Sequence, residues 1–131
     1  MLVIELLVLS VIAIEYAERK WKDRQRARRL SHLQVLFTEG QDIQTGVPSG
    51  QPSEEVCLAW DTSVRDWVSK TYVYLRDECS PQASARFSVN TGGPPGVRYP
   101  FAALRVHGMY VKLLERMDSL RIIIETPDSY L

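Results

Sequence analysis

The chain has 131 residues, which is enough for one domain, and its 16 basic residues equal its 16 acidic residues in number. Seven of the basic residues lie between positions 19 and 29, so the part after Arg29 is mildly acidic, with twelve acids and nine bases. This distribution argues against a nucleic-acid partner, because nucleic-acid-binding domains usually carry a basic face on the folded domain itself.

The N-terminal segment is almost entirely apolar from Met1 to Ile14, and a basic segment follows it directly. This order is typical of a membrane anchor and predicts a transmembrane helix over residues 1–17. Such a helix rises about 24 Å over its apolar part, so it crosses the roughly 30 Å hydrocarbon core only where the bilayer is locally thinned. The side chains expected in the membrane are Leu2, Val3, Ile4, Leu6, Leu7, Val8, Leu9, Val11, Ile12 and Ile14.

Two other interpretations of the apolar segment remain open. A helix that is apolar on all sides also occurs in the core of a soluble bundle, here one whose N-terminal helix is buried in an oligomer interface. A cleaved signal peptide fits poorly, because no basic residue precedes the apolar run and no A-x-A cleavage site follows it.

The basic segment predicts a juxtamembrane stalk over residues 18–29 and a cytoplasmic helical domain over residues 30–131. Basic residues flank membrane spans on the cytoplasmic side, which places the N-terminus outside. At 100° per residue the basic side chains scatter around the helix axis, as expected of a solvated stalk attracted to anionic lipid headgroups. They are Arg19, Lys20, Lys22, Arg24, Arg26, Arg28 and Arg29.

Apolar spacing predicts that the first helix continues past Leu30 and stops near Gly40. A second helix is expected from Glu54 to Glu78, with Ser53 as its N-cap. Asp61 and Arg65 are spaced for an ion pair one turn apart. The face expected to serve as core or interaction surface carries Trp60, Val64, Trp67 and Tyr74.

A connection of about 20 residues follows from Ser80 to Pro100, and it is long for a compact domain. It contains a short predicted helix that presents Phe87 and then a loop rich in glycine and proline. The last helix is expected from Phe101 to Glu125, ended by Pro127. Its a/d seam, a second core or interaction face, comprises Val106, Tyr110, Leu113, Met117, Leu120 and Ile124.

Together these elements predict an all-α fold, in which the N-terminal helix continues into a small antiparallel three-helix bundle with a long Gly/Pro-rich loop. Cys57 and Cys79 lie too far apart on one helix for a disulfide and are expected to be free thiols. His32 and His107 lie near neither cysteine in sequence, so no metal site is predicted, and no cofactor motif is present.

No catalytic motif is evident either. Thr91-Gly92-Gly93 lacks the lysine of a phosphate loop, although Arg98 and the following helix start resemble a generic anion site. The functional hypothesis is therefore a single-span membrane-anchored protein, which binds a protein partner or itself at the cytoplasmic membrane face. The alternatives are the soluble oligomer and a small enzyme with its site near the 80–100 loop.

Overall fold

The computed structural model describes residues 2–90 and 103–131, and within these ranges the chain is helical and contains no strand. The all-α prediction is confirmed, whereas most of the Gly/Pro-rich loop lies outside the described residues. The elements are α1 (Leu2–Thr45), α2 (Glu54–Tyr74), a π-helix (Leu75–Cys79), α3 (Pro81–Phe87), a 3-10 turn (Leu104–Val106), α4 (His107–Glu125) and α5 (Pro127–Tyr130).

The first helix does not stop at Gly40, and that prediction was wrong. Gly40 is buried inside α1, which continues to Thr45. A Cβ atom at Gly40 would lie 2.8 Å from Cζ2 of Trp67, so the glycine makes room for the indole ring. The residue therefore permits a close approach between α1 and α2 rather than ending a helix.

The predicted start of the second helix is confirmed, since the Ser53 hydroxyl accepts a hydrogen bond from the backbone N–H of Val56 at 3.3 Å. The helix ends in one π-helical turn. Ser80 then caps α3, where its hydroxyl accepts from the Ala83 N–H at 3.0 Å and Pro81 occupies the first turn. Phe87 is fully buried at the end of this short helix, as expected.

Helices α1 and α2 are antiparallel and are joined by two indole hydrogen bonds. Trp60 Nε1 donates to the carbonyl of Ile43 at 2.9 Å, and Trp67 Nε1 donates to the carbonyl of Leu36 at 2.7 Å. Both acceptors are backbone carbonyls of α1. The tryptophans therefore bury their apolar rings and still satisfy their polar atoms.

Helices α2 and α4 run in the same direction, so the expected fully antiparallel bundle was wrong. Arg105, just before α4, bonds to Glu54 at the start of α2, and Ser80, after α2, bonds to Tyr130 after α4. The Ala103 N–H donates a hydrogen bond to the carbonyl of Pro48, in the loop between α1 and α2, at 2.9 Å. This bond holds the start of α4 beside that loop.

The core lies where the C-terminal half of α1, α2, α3 and α4 meet, and α4 is buried on several sides. Both predicted faces pack into this core. Of their members, Tyr74 and Ile124 are partly buried, and the others are buried: Trp60, Val64, Trp67, Val106, Tyr110, Leu113, Met117 and Leu120. These side chains hold the chain's own helices together, so they do not offer a surface to a partner.

Candidate functional site

The apolar N-terminal end of α1 extends away from the bundle and is solvent-exposed on every side. Each of its large apolar side chains, from Leu2 to Ile14, is 51–76% exposed. The first residue of α1 that is buried in the core is Leu33. About nine helical turns of α1 thus precede its buried part, at 3.6 residues per turn.

The polar residues of this apolar end point in three different directions. Glu5, Ser10 and Glu15 are spaced by five residues, which rotates each about 140° from the one before. The Ser10 hydroxyl donates to the Leu6 carbonyl at 2.8 Å, so its polar group is satisfied within the helix. The segment therefore has no polar face, and water, lipid or protein would meet apolar side chains around its whole circumference.

No helix in residues 2–90 and 103–131 combines the length and the apolar character needed to cross a membrane. The transmembrane part of the sequence-based prediction is thus unsupported.

The basic segment of α1 has two opposite faces rather than scattered charges. Arg19, Lys22, Arg26 and Arg29 follow a spacing of three, four and three, so they form one stripe. Together with Trp21 they line a groove of about 400 Å³ beside Leu131, which we call the basic groove. The stripe was visible in the spacing, and the sequence interpretation missed it. The opposite face carries Lys20, Arg24 and Arg28.

Residues at the end of the chain bind Arg26 and Arg29, the two arginines of the basic groove that lie nearest the bundle. Arg26 Nη1 forms an ion pair with Asp128 at 2.6 Å, and Arg29 Nη1 donates to the Leu131 carbonyl at 3.3 Å. Within the described residues the other five basic residues of the segment form no ion pair. Their charges are therefore available to an anionic partner.

The two cysteines are free thiols, as predicted. Cys57 is buried in the core. At Cys79, burial raises the thiol pKa to about 11, although the neighbouring Arg29 guanidinium acts in the opposite direction. The thiolate is the nucleophilic form, so Cys79 stays in its unreactive form near neutral pH.

Metal ligands do not cluster in the part of the chain that the structure describes: no group of three His, Cys, Asp or Glu side chains could hold a metal ion there. His32 instead packs against the Tyr74 ring, with centroids 4.0 Å apart. The predicted anion site at Arg98 lies outside the described residues.

The chain was compared with protein-family models, with characterised proteins and with solved structures. No family model, characterised protein or solved structure matches it.

Proposed function

We propose that this protein attaches to a membrane through the apolar end of α1, residues 2–17, and that its helical bundle binds a protein partner or another copy at the cytoplasmic membrane face. The observation that carries the proposal is the apolar exposure of Leu2 to Ile14 on every side, followed directly by basic residues. Each large aliphatic side chain moved from water into an apolar medium contributes about 1.5–3 kcal/mol.

A bilayer covers this segment better than a protein interface does. A helix–helix contact buries one stripe of a helix, and an amphipathic helix lying flat on a membrane keeps a polar face in water. The segment has neither a stripe nor a polar face, whereas inserted lipid surrounds a helix completely. Glu5 and Glu15 lie near the two ends of the segment. A charge at the bilayer centre costs roughly 2.5–3.5 kcal/mol of insertion free energy, and a carboxylate near the interface costs less.

The apolar segment is shorter than the hydrocarbon core of a typical bilayer, and this limits how it can insert. The residues from Leu2 to Ala17 rise about 24 Å, less than the roughly 30 Å hydrocarbon core. A span therefore requires a locally thinned bilayer. In that orientation the N-terminus lies outside and the bundle lies in the cytoplasm, because the basic segment follows the apolar one.

Among the basic residues, those closest to the apolar end are proposed to contact anionic headgroups most strongly. Arg19 and Lys22 lie about 8 and 12 Å beyond Ile14 along the helix, whereas Arg28 lies about 21 Å beyond it. Attraction to anionic lipid is worth about 1 kcal/mol per charge near the surface and falls off within a Debye length. The proposed headgroup contacts are therefore Arg19 and Lys22 of the basic groove, together with Lys20 on the opposite face, which lies about 9 Å beyond Ile14.

The partner surface is proposed to lie on the outer faces of α1 and α2, since the two faces predicted for it are buried in the core. Apolar side chains exposed on these outer faces support the proposal, among them Val35, Leu58 and Val73. Partner binding near the membrane would add to the affinity of the anchor, because the two contacts are linked through one chain.

The proposal is tested by flotation of the full chain with neutral and anionic vesicles. The matched variants are Val11→Glu and Val35→Glu, because these valines lie on the same helix and are 54% and 53% exposed. We expect Val11→Glu to move the protein from the vesicle fraction to the soluble fraction and Val35→Glu to leave it with the vesicles. Equal behaviour of the two variants would contradict membrane attachment through this segment.

Size-exclusion chromatography of the same proteins tests the soluble-oligomer alternative. If the full chain stays soluble with both kinds of vesicle and Val11→Glu converts an oligomer to a monomer, the apolar end is an oligomer interface. Removing the charges with Arg19→Gln and Lys22→Gln should weaken binding to anionic vesicles more than Arg24→Gln and Arg28→Gln do.

A further inference from the structure

A cavity of about 300 Å³ lies between α2, α3 and α4, and no residue of α1 lines it. Its accessible apolar part is formed by Val68 and Met109, which are partly buried and pack against the core. Its polar part contains three cations, Arg65, Lys112 and Arg116, and none of the described residues that line it is acidic. The cavity therefore combines an apolar wall with an excess of positive charge.

Arg116 is the best-defined cation of the cavity. It is only 8% exposed, and its guanidinium donates to the Val89 carbonyl at 3.0 Å and to Asn90 Oδ1 at 2.9 Å. Both acceptors are neutral, and in the described part of the chain no carboxylate pairs with this arginine. A buried cation without a counter-ion is costly, and two bonds use only part of the five N–H donors of a guanidinium.

Arg65 and Lys112 are also without an ion pair among the described residues. The predicted pair of Arg65 with Asp61 is wrong, because Arg105, 44 residues away in sequence, binds the Asp61 carboxylate at 3.1 Å. The same Arg105 also binds Glu54, at the start of α2. Among the described residues, Arg105 thus binds the acid that the spacing had assigned to Arg65, and Arg65 forms no ion pair at the cavity.

Hydroxyl groups complete the polar lining, with Ser69 and Tyr72 on α2 and Ser88 after α3. Hydroxyls both donate and accept hydrogen bonds, so they can bind the oxygens of an anion beside the cations. A phosphate monoester carries nearly two negative charges at neutral pH and three acceptor oxygens. Guanidinium groups bind such oxygens in pairs, and an ammonium adds a point charge.

We propose that this cavity binds a small soluble organic phosphate, with the phosphate among Arg65, Lys112 and Arg116 and an apolar group against Val68 and Met109. The volume is at the small end of ligand pockets and suits a compact ligand. A phosphate is favoured over a carboxylate because three cations match its charge better. The site is separate from the proposed membrane contact, since α1 contributes nothing to its lining.

Titration of the full chain in non-ionic detergent with phenyl phosphate, inorganic phosphate and phenol tests the proposal. The structure predicts the tightest binding for phenyl phosphate, weaker binding for inorganic phosphate, and none for phenol. In amide NMR spectra the shifts should centre on Ser69 and Ser88. Shifts confined to residues 19–29 would overturn the proposal, because they would place the phosphate in the basic groove.

Variants of the exposed cations separate binding from folding. Arg65→Gln and Lys112→Gln should each weaken phenyl phosphate binding about tenfold, the effect of losing one charge-assisted contact. Arg121→Gln is the matched control and should bind like the unmodified protein, because Arg121 is an exposed arginine of α4 that does not line the cavity. Unchanged affinity in the Arg65→Gln/Lys112→Gln double variant, or no binding by the unmodified protein, would contradict the proposal.

Discussion

The indole of Trp67 lies against Gly40, and its N–H donates to the Leu36 carbonyl one helical turn earlier. This contact fixes the separation of α1 and α2 within the core. It also brings the Trp67 ring to 6.0 Å from the Phe87 ring in an edge-on arrangement, which links α3 to the same contact.

Substitution of Gly40 should therefore destabilise the protein. In Gly40→Ala the new methyl group meets the Trp67 ring, and overpacking of this kind costs about 1–3 kcal/mol of unfolding free energy. Gly108 provides the control, because a Cβ atom there meets nothing within 4 Å and the residue lies in the first turns of α4. Gly108→Ala should stabilise the protein by about 0.5–1 kcal/mol. Urea unfolding followed by circular dichroism measures both changes.

Loss of Arg105 should destabilise the protein through Asp61. The Asp61 side chain is buried, its Oδ2 bonds to Arg105, and its Oδ1 has no hydrogen-bond partner within the described residues. Arg105→Ala leaves this carboxylate buried and unpaired, at a cost of about 1–3 kcal/mol. Glu54→Gln removes only the exposed ion pair between Arg105 and Glu54, so it should cost less than about 1 kcal/mol of unfolding free energy. If Arg105→Ala costs the same in an Asp61→Asn background, the pair does not explain the loss.

The thiols should react slowly with alkylating reagents in the folded protein. Burial raises the Cys79 pKa to about 11, and Cys57 is buried. We expect little modification by iodoacetamide at pH 7.5 and a rise in the Cys79 rate only as the pH approaches 11. Because the folded pKa exceeds the unfolded one, the stability contributed by Cys79 is present below about pH 9 and is lost as the pH rises through 11. Two fast-reacting thiols in the native protein would contradict this arrangement.

Removal of residues 2–17 should leave the bundle intact. These residues are exposed throughout, and the first hydrogen bonds from α1 to the rest of the chain are those of Arg26 and Arg29. We expect the chain from position 18 onward to retain its unfolding free energy within about 0.5 kcal/mol, as for changes at exposed sites. It should also lose vesicle binding. A shortened chain that aggregates or melts at lower temperature would show that the segment covers part of the core.

Local signals in the sequence predicted the helices well. The Ser53 cap and the periodic face around Trp60 and Trp67 depend on neighbouring residues only, and both are present in the structure. The shared direction of α2 and α4 could not be predicted, because it depends on the path of a long connection. The role of Gly40 was also missed, since a glycine that ends a helix and one that admits a tryptophan look alike in sequence.

The missed electrostatic contacts have a similar cause. Asp61 and Arg65 have the spacing of an ion pair, yet Arg105 arrives from a distant part of the chain and binds the acid instead. Spacing along one helix indicates which acidic and basic side chains can form an ion pair. It does not show whether a side chain from another part of the chain binds the same acid. The stripe from Arg19 to Arg29 is different, because its spacing can be read from the sequence. Only the position of Leu131 beside the stripe could not be predicted.

Because α1 is one uninterrupted helix of 44 residues, it forms a rod of about 66 Å. Its first part is the apolar end, and its last part packs in the bundle. Ile14 and Leu33 are separated by about 29 Å along this rod. Any tilt or rotation of the apolar end within a bilayer would turn the whole bundle by the same angle. The depth of insertion would likewise set the height at which the bundle stands above the lipid.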